Sequence, residues 1–144
     1  MSFLLDTNVV SEWTKPRPNS GLITWLDEAD EDRVFLSVAT LAELRHGVER
    51  VPAGRRRKLL DAWLSQELPL RFESRILPVD NAVADAWGHL VAQCEARGRS
   101  LAAMDGLIAA TAVVHGHHNL ERCRKRVGAT SSTIQRRTER HPRE

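Results

Sequence analysis

Residues 100–116, S-L-A-A-M-D-G-L-I-A-A-T-A-V-V-H-G, decide how this chain is read, because they set one carboxylate, Asp105, inside an otherwise apolar segment. Residues 107–114 are all Leu, Ile, Ala, Val or Thr, with no proline or glycine, which predicts a helix buried on most sides. Ser100 is the expected N-cap. That start leaves Asp105 in the second turn, too far in to serve the free amides and dipole of the helix terminus. A carboxylate held among apolar side chains is costly unless it is paired, protonated or bound to a cation. Asp105 therefore calls for partners elsewhere in the chain.

Upstream, Ala82, Val83, Ala86, Trp87, Leu90, Val91 and Cys94 trace a helical stripe that Asp80 caps and that ends at Arg97-Gly98-Arg99. Ile76-Leu77-Pro78-Val79 reads as a short strand, with the proline marking an edge or a strand start. Residues 55–68 predict an amphipathic helix, with Leu59, Leu60, Trp63 and Leu64 on one side and Arg55, Arg56, Arg57 and Lys58 on another. A solvated face is the simplest account of that basic cluster. Residues 34–38 form the second strand candidate, and a helix is expected from Thr40. Thr40 and Glu43 have capping-box spacing, which is the ordinary structural account of Glu43. Ser20 caps a helix carrying Leu22, Ile23, Trp25, Leu26 and Ala29. At the start, Phe3-Leu4-Leu5 reads as a buried strand ending in Asp6-Thr7-Asn8, so Asp6 stands at a strand's carboxyl end, where open parallel sheets bind ligands. Helical and strand patterns alternate, so the expected architecture is an α/β fold with a central parallel sheet.

Composition sets the outer limits. At 144 residues, 1–116 make one domain with one core. Lys and Arg number 21 against 19 acids, a net charge of +2 that carries meaning only where charge is clustered. The two cysteines, Cys94 and Cys123, form no C-x-x-C pair, which fits a reducing cytoplasm and no disulfide or zinc scaffold. The first residues carry no export signal, and no apolar run reaches the roughly 20 residues of a membrane span. A cytoplasmic protein is expected. Residues 117–144 differ in character: few apolar residues, many arginines and no strand alternation, the composition of a disordered or poorly packed basic tail.

Three acids stand out by position: Asp6 ending a strand, Glu43 near a helix start, and Asp105. In a parallel α/β sheet, strand ends and the helices beginning beside them gather at one edge, so the three could share a pocket. Alone they would repel one another, and a divalent cation removes the conflict. Oxygen ligands suit Mg²⁺ or Mn²⁺, and magnesium takes only one or two direct carboxylates with waters completing its shell. The matching chemistry is phosphodiester hydrolysis. Thr7, Asn8 and Ser37 could hold waters in such a site, although turn capping is their commoner use. Arg45 has either a surface ion pair or a phosphate contact open to it. His115, His117 and His118 fit an exposed turn better than a transition-metal site, since no further ligand completes a tetrahedral set.

Three segments, L-L-D-T-N-V-V-S-E, L-S-V-A-T-L-A-E-L-R-H-G and M-D-G-L-I-A-A-T-A-V-V-H-G, resemble the PIN-domain ribonucleases, in particular the VapC and FitB-like toxins of bacterial toxin-antitoxin pairs. They stand in the family's order and at its usual separations over residues 3 to 116. The resemblance implies an α/β/α sandwich around a parallel sheet. It puts Asp6, Glu43 and Asp105 on the family's acidic positions, with Asp6 and Asp105 as metal ligands. It further implies RNA cleavage with Mg²⁺ or Mn²⁺, a homodimer, and inhibition by a cognate antitoxin protein.

The chain departs from the family after Gly116. The expected T-R-N-x-x-D-F-like stretch is replaced by H-H-N-L-E-R-C-R-K-R-V, which puts Cys123 and Arg126 at positions where the family has Asn or Asp and leaves the family's last strand without a matching stretch. A shifted reading frame near residues 129–133 would account for this, and sequencing the gene tests it. Two functional readings follow. One is a metal-dependent endoribonuclease toxin. The other is a catalytically impaired PIN-fold protein that binds antitoxin or RNA without cleaving. A purely structural α/β domain would need three coincidences among the acids.

Overall fold

A computed structural model describes residues 1–119. The early strand β1 (Phe3–Leu4) leads into helix α1 (Thr7–Ser11), and α2 (Ser20–Glu28) follows. Strand β2 (Val34–Ser37) passes straight into α3 (Val38–Glu49). Helices α4 (Arg55–Ala62) and α5 (Leu68–Phe72) are joined by a π-helical segment (Trp63–Glu67), then come β3 (Ile76–Leu77), α6 (Asn81–Ala96), α7 (Ala103–His115) and β4 (His118–Asn119). Pro69 explains the π segment. It has no N–H to give the Ser65 carbonyl and its ring would collide there, so the helix widens by one residue and Leu68 bonds back to Trp63.

The strands form one parallel sheet in the order β3-β2-β1-β4. Strand order reverses at β1, and the crevice outside the carboxyl end at such a reversal is where open α/β sheets bind ligands. Side chains leave a strand on alternate faces, and both faces here are apolar. Phe3, Leu5, Val34, Leu36 and Ile76 join the core around Phe72, Leu64, Leu68, Val9 and Val10. Leu4, Phe35 and Leu77 meet Ala39, Ile108 and Ala112 on the other face. The expected α/β/α sandwich is the fold observed.

Several local expectations change. The second strand ends at Ser37, whose side chain caps α3 by accepting from the Ala39 amide at 3.0 Å. Thr40 is therefore inside the helix and Glu43 farther along it, so the Thr40–Glu43 capping box does not exist. Helix α7 starts at Ala103 with no side-chain cap. Asp105 thus lies in the first turn, exposed and favourably placed toward the dipole, rather than in a buried second turn capped by Ser100. Sequence patterning assigns no element after Gly116, yet Gly116 closes α7 in the left-handed conformation at φ +67° and β4 pairs with β1 directly afterwards.

The histidine turn is also not simply exposed. His117 stacks on Phe35 with ring centres 4.3 Å apart and its Nδ1 pairs with the Ser2 hydroxyl. Burial, and then the neighbouring His115, hold the His117 imidazole below its ordinary range. The readings of Cys123, Arg126, residues 129–133, the last strand and the remainder of the basic tail lie outside the described residues.

Candidate functional site

Asp6 follows β1 by two residues, and the β1–β2 register carries it level with Ser37 at the carboxyl edge of the sheet. It is buried, 7% exposed, and caps α1: its Oδ1 accepts from the Asn8 amide at 3.0 Å. The hydroxyl of Thr7 donates to Glu43 Oε1 at 2.9 Å. One short turn after β1 therefore holds Asp6 and ties it, through the next residue, to the acid on α3. Asn8 takes part through its backbone, while the residue itself is exposed. Ser37 is fully buried as the α3 cap.

The positions of the three acids relative to the smaller core cluster follow from periodicity. Asp6 stands two residues beyond Leu4, on the same face of the extended chain. Glu43 stands one turn after Ala39 on α3, and Asp105 one turn before Ile108 on α7. Leu4, Ala39 and Ile108 pack together. Each acid thus continues a line of side chains that meets the others in that cluster. Among the described residues, however, no three His, Cys, Asp or Glu side chains lie close enough together to hold one metal ion.

The donor chemistry nevertheless fits a hard cation. Carboxylates on Asp6 and Asp105 offer oxygen ligands, and magnesium needs only one or two of these with waters completing its shell. Thr40, one turn before Glu43, carries a fully buried hydroxyl with no hydrogen-bond partner among the described residues.

Other candidates are used structurally. Arg45 bonds Asp61 at 2.6 Å and Ser65 at 2.9 Å, linking α3 to α4 and the π segment. That hydrogen bond raises the guanidinium above its ordinary value and lowers the Asp61 carboxyl. The basic cluster opens α4, where Arg57 pairs with Glu49 at 2.5 Å, while Arg55, Arg56 and Lys58 are exposed. Sequence reasoning missed the Thr7–Glu43 bond, because the capping-box spacing supplied a ready alternative for Glu43.

A profile of the PIN domain matches residues 3–120. The chain is 42% identical to Toxin FitB of Neisseria gonorrhoeae over 112 residues, covering 78% of this chain and 81% of that protein. It is 39% identical to VapC ribonuclease Y4jK of Sinorhizobium fredii over 113 residues, with 78% and 81% covered. The crystal structure of FitAcB from Neisseria gonorrhoeae superposes with a TM-score of 0.75 at 41% identity, over 80% of this chain and 83% of that one. With the sheet order and paired cores described above, these matches make the chain a member of the PIN-domain family.

Proposed function

We propose that this chain is a metal-dependent endoribonuclease acting as the toxin of a toxin-antitoxin pair. The carrying observation is the meeting of the three acid-bearing lines at Leu4, Ala39 and Ile108, with Thr7 joining the Asp6 turn to Glu43. Similarity to a toxin and a VapC ribonuclease over most of the chain supports the same reading. Asp6 and Asp105 are the proposed ligands of Mg²⁺ or Mn²⁺. A bound cation there would supply Lewis-acid stabilisation of charge on the scissile phosphate and lower the pKa of a coordinated water. Glu43, its Oε1 fixed by Thr7, would accept the proton of the attacking water through its other oxygen. The water oxygen would form the new bond to phosphorus as the bond to the leaving sugar oxygen breaks, and that oxygen would take up a proton from solvent.

The proposed partners are an RNA substrate, a cognate antitoxin protein and a second copy of the chain. Val113, 60% exposed on α7, offers apolar surface for such contacts. The proposed setting is cytoplasmic. No helix among the described residues is long and apolar enough to cross a membrane.

A second reading, a PIN-fold protein that binds antitoxin or RNA without cleaving, rests on the sequence after Gly116: the resemblance implies Asn or Asp at the positions of Cys123 and Arg126, and neither is a suitable magnesium ligand. The test is cleavage of structured and single-stranded RNA with Mg²⁺ or Mn²⁺, beside an EDTA control and Asp105→Asn. The nuclease reading expects metal-dependent cleavage that the variant loses. Folded wild-type protein that binds RNA without cutting it would establish the second reading instead.

A further inference from the structure

The first turn of α7, which carries Asp105, lacks the usual means of fixing a helix start. Ala102 occupies the N-cap and offers no side-chain acceptor to the free amides of that turn. The turn is held instead through a carbonyl. Trp87, from the middle of α6, donates its indole N–H to the Ala103 carbonyl at 3.3 Å. The ring also lies against the backbone of Gly106, the residue after Asp105. A Cβ at Gly106 would sit 2.8 Å from Trp87 Nε1, 3.0 Å from Cδ1, and 3.3 Å from Leu101 Cδ2.

These contacts matter because glycine inside a helix weakens it relative to alanine, and Gly106 has an ordinary helical backbone that does not need glycine. What Gly106 provides is space for a rigid, flat ring beside the backbone bearing Asp105. The indole then meets that backbone at two points, Ala103 and Gly106, on either side of the acid.

We propose that Trp87 is a positioning residue for Asp105: it clamps the uncapped first turn of α7 and thereby fixes where the carboxylate stands relative to Asp6. This rests on the reading of Asp105 as a metal ligand, and it adds a residue from a fourth element, α6, to the site. Groups that orient a ligand from outside its coordination shell typically change metal affinity or activity about 10- to 100-fold when lost.

The test uses the full chain and its Trp87→Phe, Gly106→Ala and Asp105→Asn variants. Each is measured for Mn²⁺ affinity by electron paramagnetic resonance, for thermal unfolding, and for kcat and KM on RNA. Trp87→Phe keeps a ring and loses the N–H, while Gly106→Ala keeps the indole and displaces it. The proposal expects both to remain folded, to bind Mn²⁺ at least about tenfold more weakly, as loss of an orienting partner does, and to lower kcat with KM for RNA unchanged. A merely structural tryptophan would shift the unfolding temperature and leave Mn²⁺ affinity unchanged, and that result overturns the proposal. If Asp105→Asn abolishes Mn²⁺ binding while Trp87→Phe and Gly106→Ala do not weaken it, the positioning role falls and the metal reading stands. If Asp105→Asn binds Mn²⁺ as the wild type does, both fall.

Discussion

On one face of the sheet, β1 and β2 together with α1, α2, α3 and residues 63–72 bury a broad core centred on Phe72, Leu64 and Leu68. On the other, Leu4, Ala39, Ile108 and Ala112 make a cluster of four among the described residues. The larger core includes no residue of α6 or α7, whereas every acid of the candidate site continues a line that passes through the smaller one. If the proposed site is right, stability and function are carried by different faces. A change that costs much stability need not disturb the site, and a modest loss beside Ile108 should.

The heaviest test of this division is Phe72→Ala, which removes a fully buried ring and is expected to cost about 3–5 kcal/mol in urea unfolding. Ile108→Ala should cost less, near the lower end of the about 2–5 kcal/mol seen for such truncations. It should nevertheless weaken Mn²⁺ binding in the folded protein, and unchanged Mn²⁺ affinity would erase the distinction between the faces.

Thr40→Val comes next and runs the other way. Its buried hydroxyl has no partner among the described residues, so an isosteric apolar side chain should stabilise by about 1 kcal/mol. If cleavage falls as stability rises, the hydroxyl belongs to the site. If cleavage is unchanged, it is a residue of the core alone.

The smallest effect lies at the opposite edge of the sheet. His117 has its pKa lowered by burial and then by His115, so its neutral form is favoured in the fold. Its contribution is present above the ordinary imidazole value of about 6.5 and is lost as pH falls through the lowered folded value. The wild type should therefore lose stability on acidification through this window more steeply than His117→Gln, as measured by urea unfolding at a series of pH values. Equal slopes would show that burial and the neighbouring His115 do not disfavour the charged imidazole in the fold.

Much of the fold was legible in residue pattern. The runs Phe3-Leu4-Leu5 and Val34-Phe35-Leu36 are apolar at every position, the pattern of a strand covered on both faces. The helical stripes of α2 and α6 follow from spacing in the same way. Boundaries were less legible. Ser37 and Thr40 are both good caps, and nothing local separates them. The choice falls on Ser37 because β2 must end level with the Asp6 turn. At α7 the local signal favoured Ser100, whereas the helix begins at Ala103, with the Trp87 ring against its first turn.

What the sequence determined by itself was the alternation of strand and helix, since that depends on residue type and periods of 2 and 3.6. Tertiary structure decided the rest: that Glu43 accepts from Thr7, that Arg45 is held by Asp61, that β4 joins β1, and that Asp105 is exposed at a helix start. Each depends on which elements lie side by side, and that is set by how both apolar faces of one sheet are covered at once. No window along the chain contains that information.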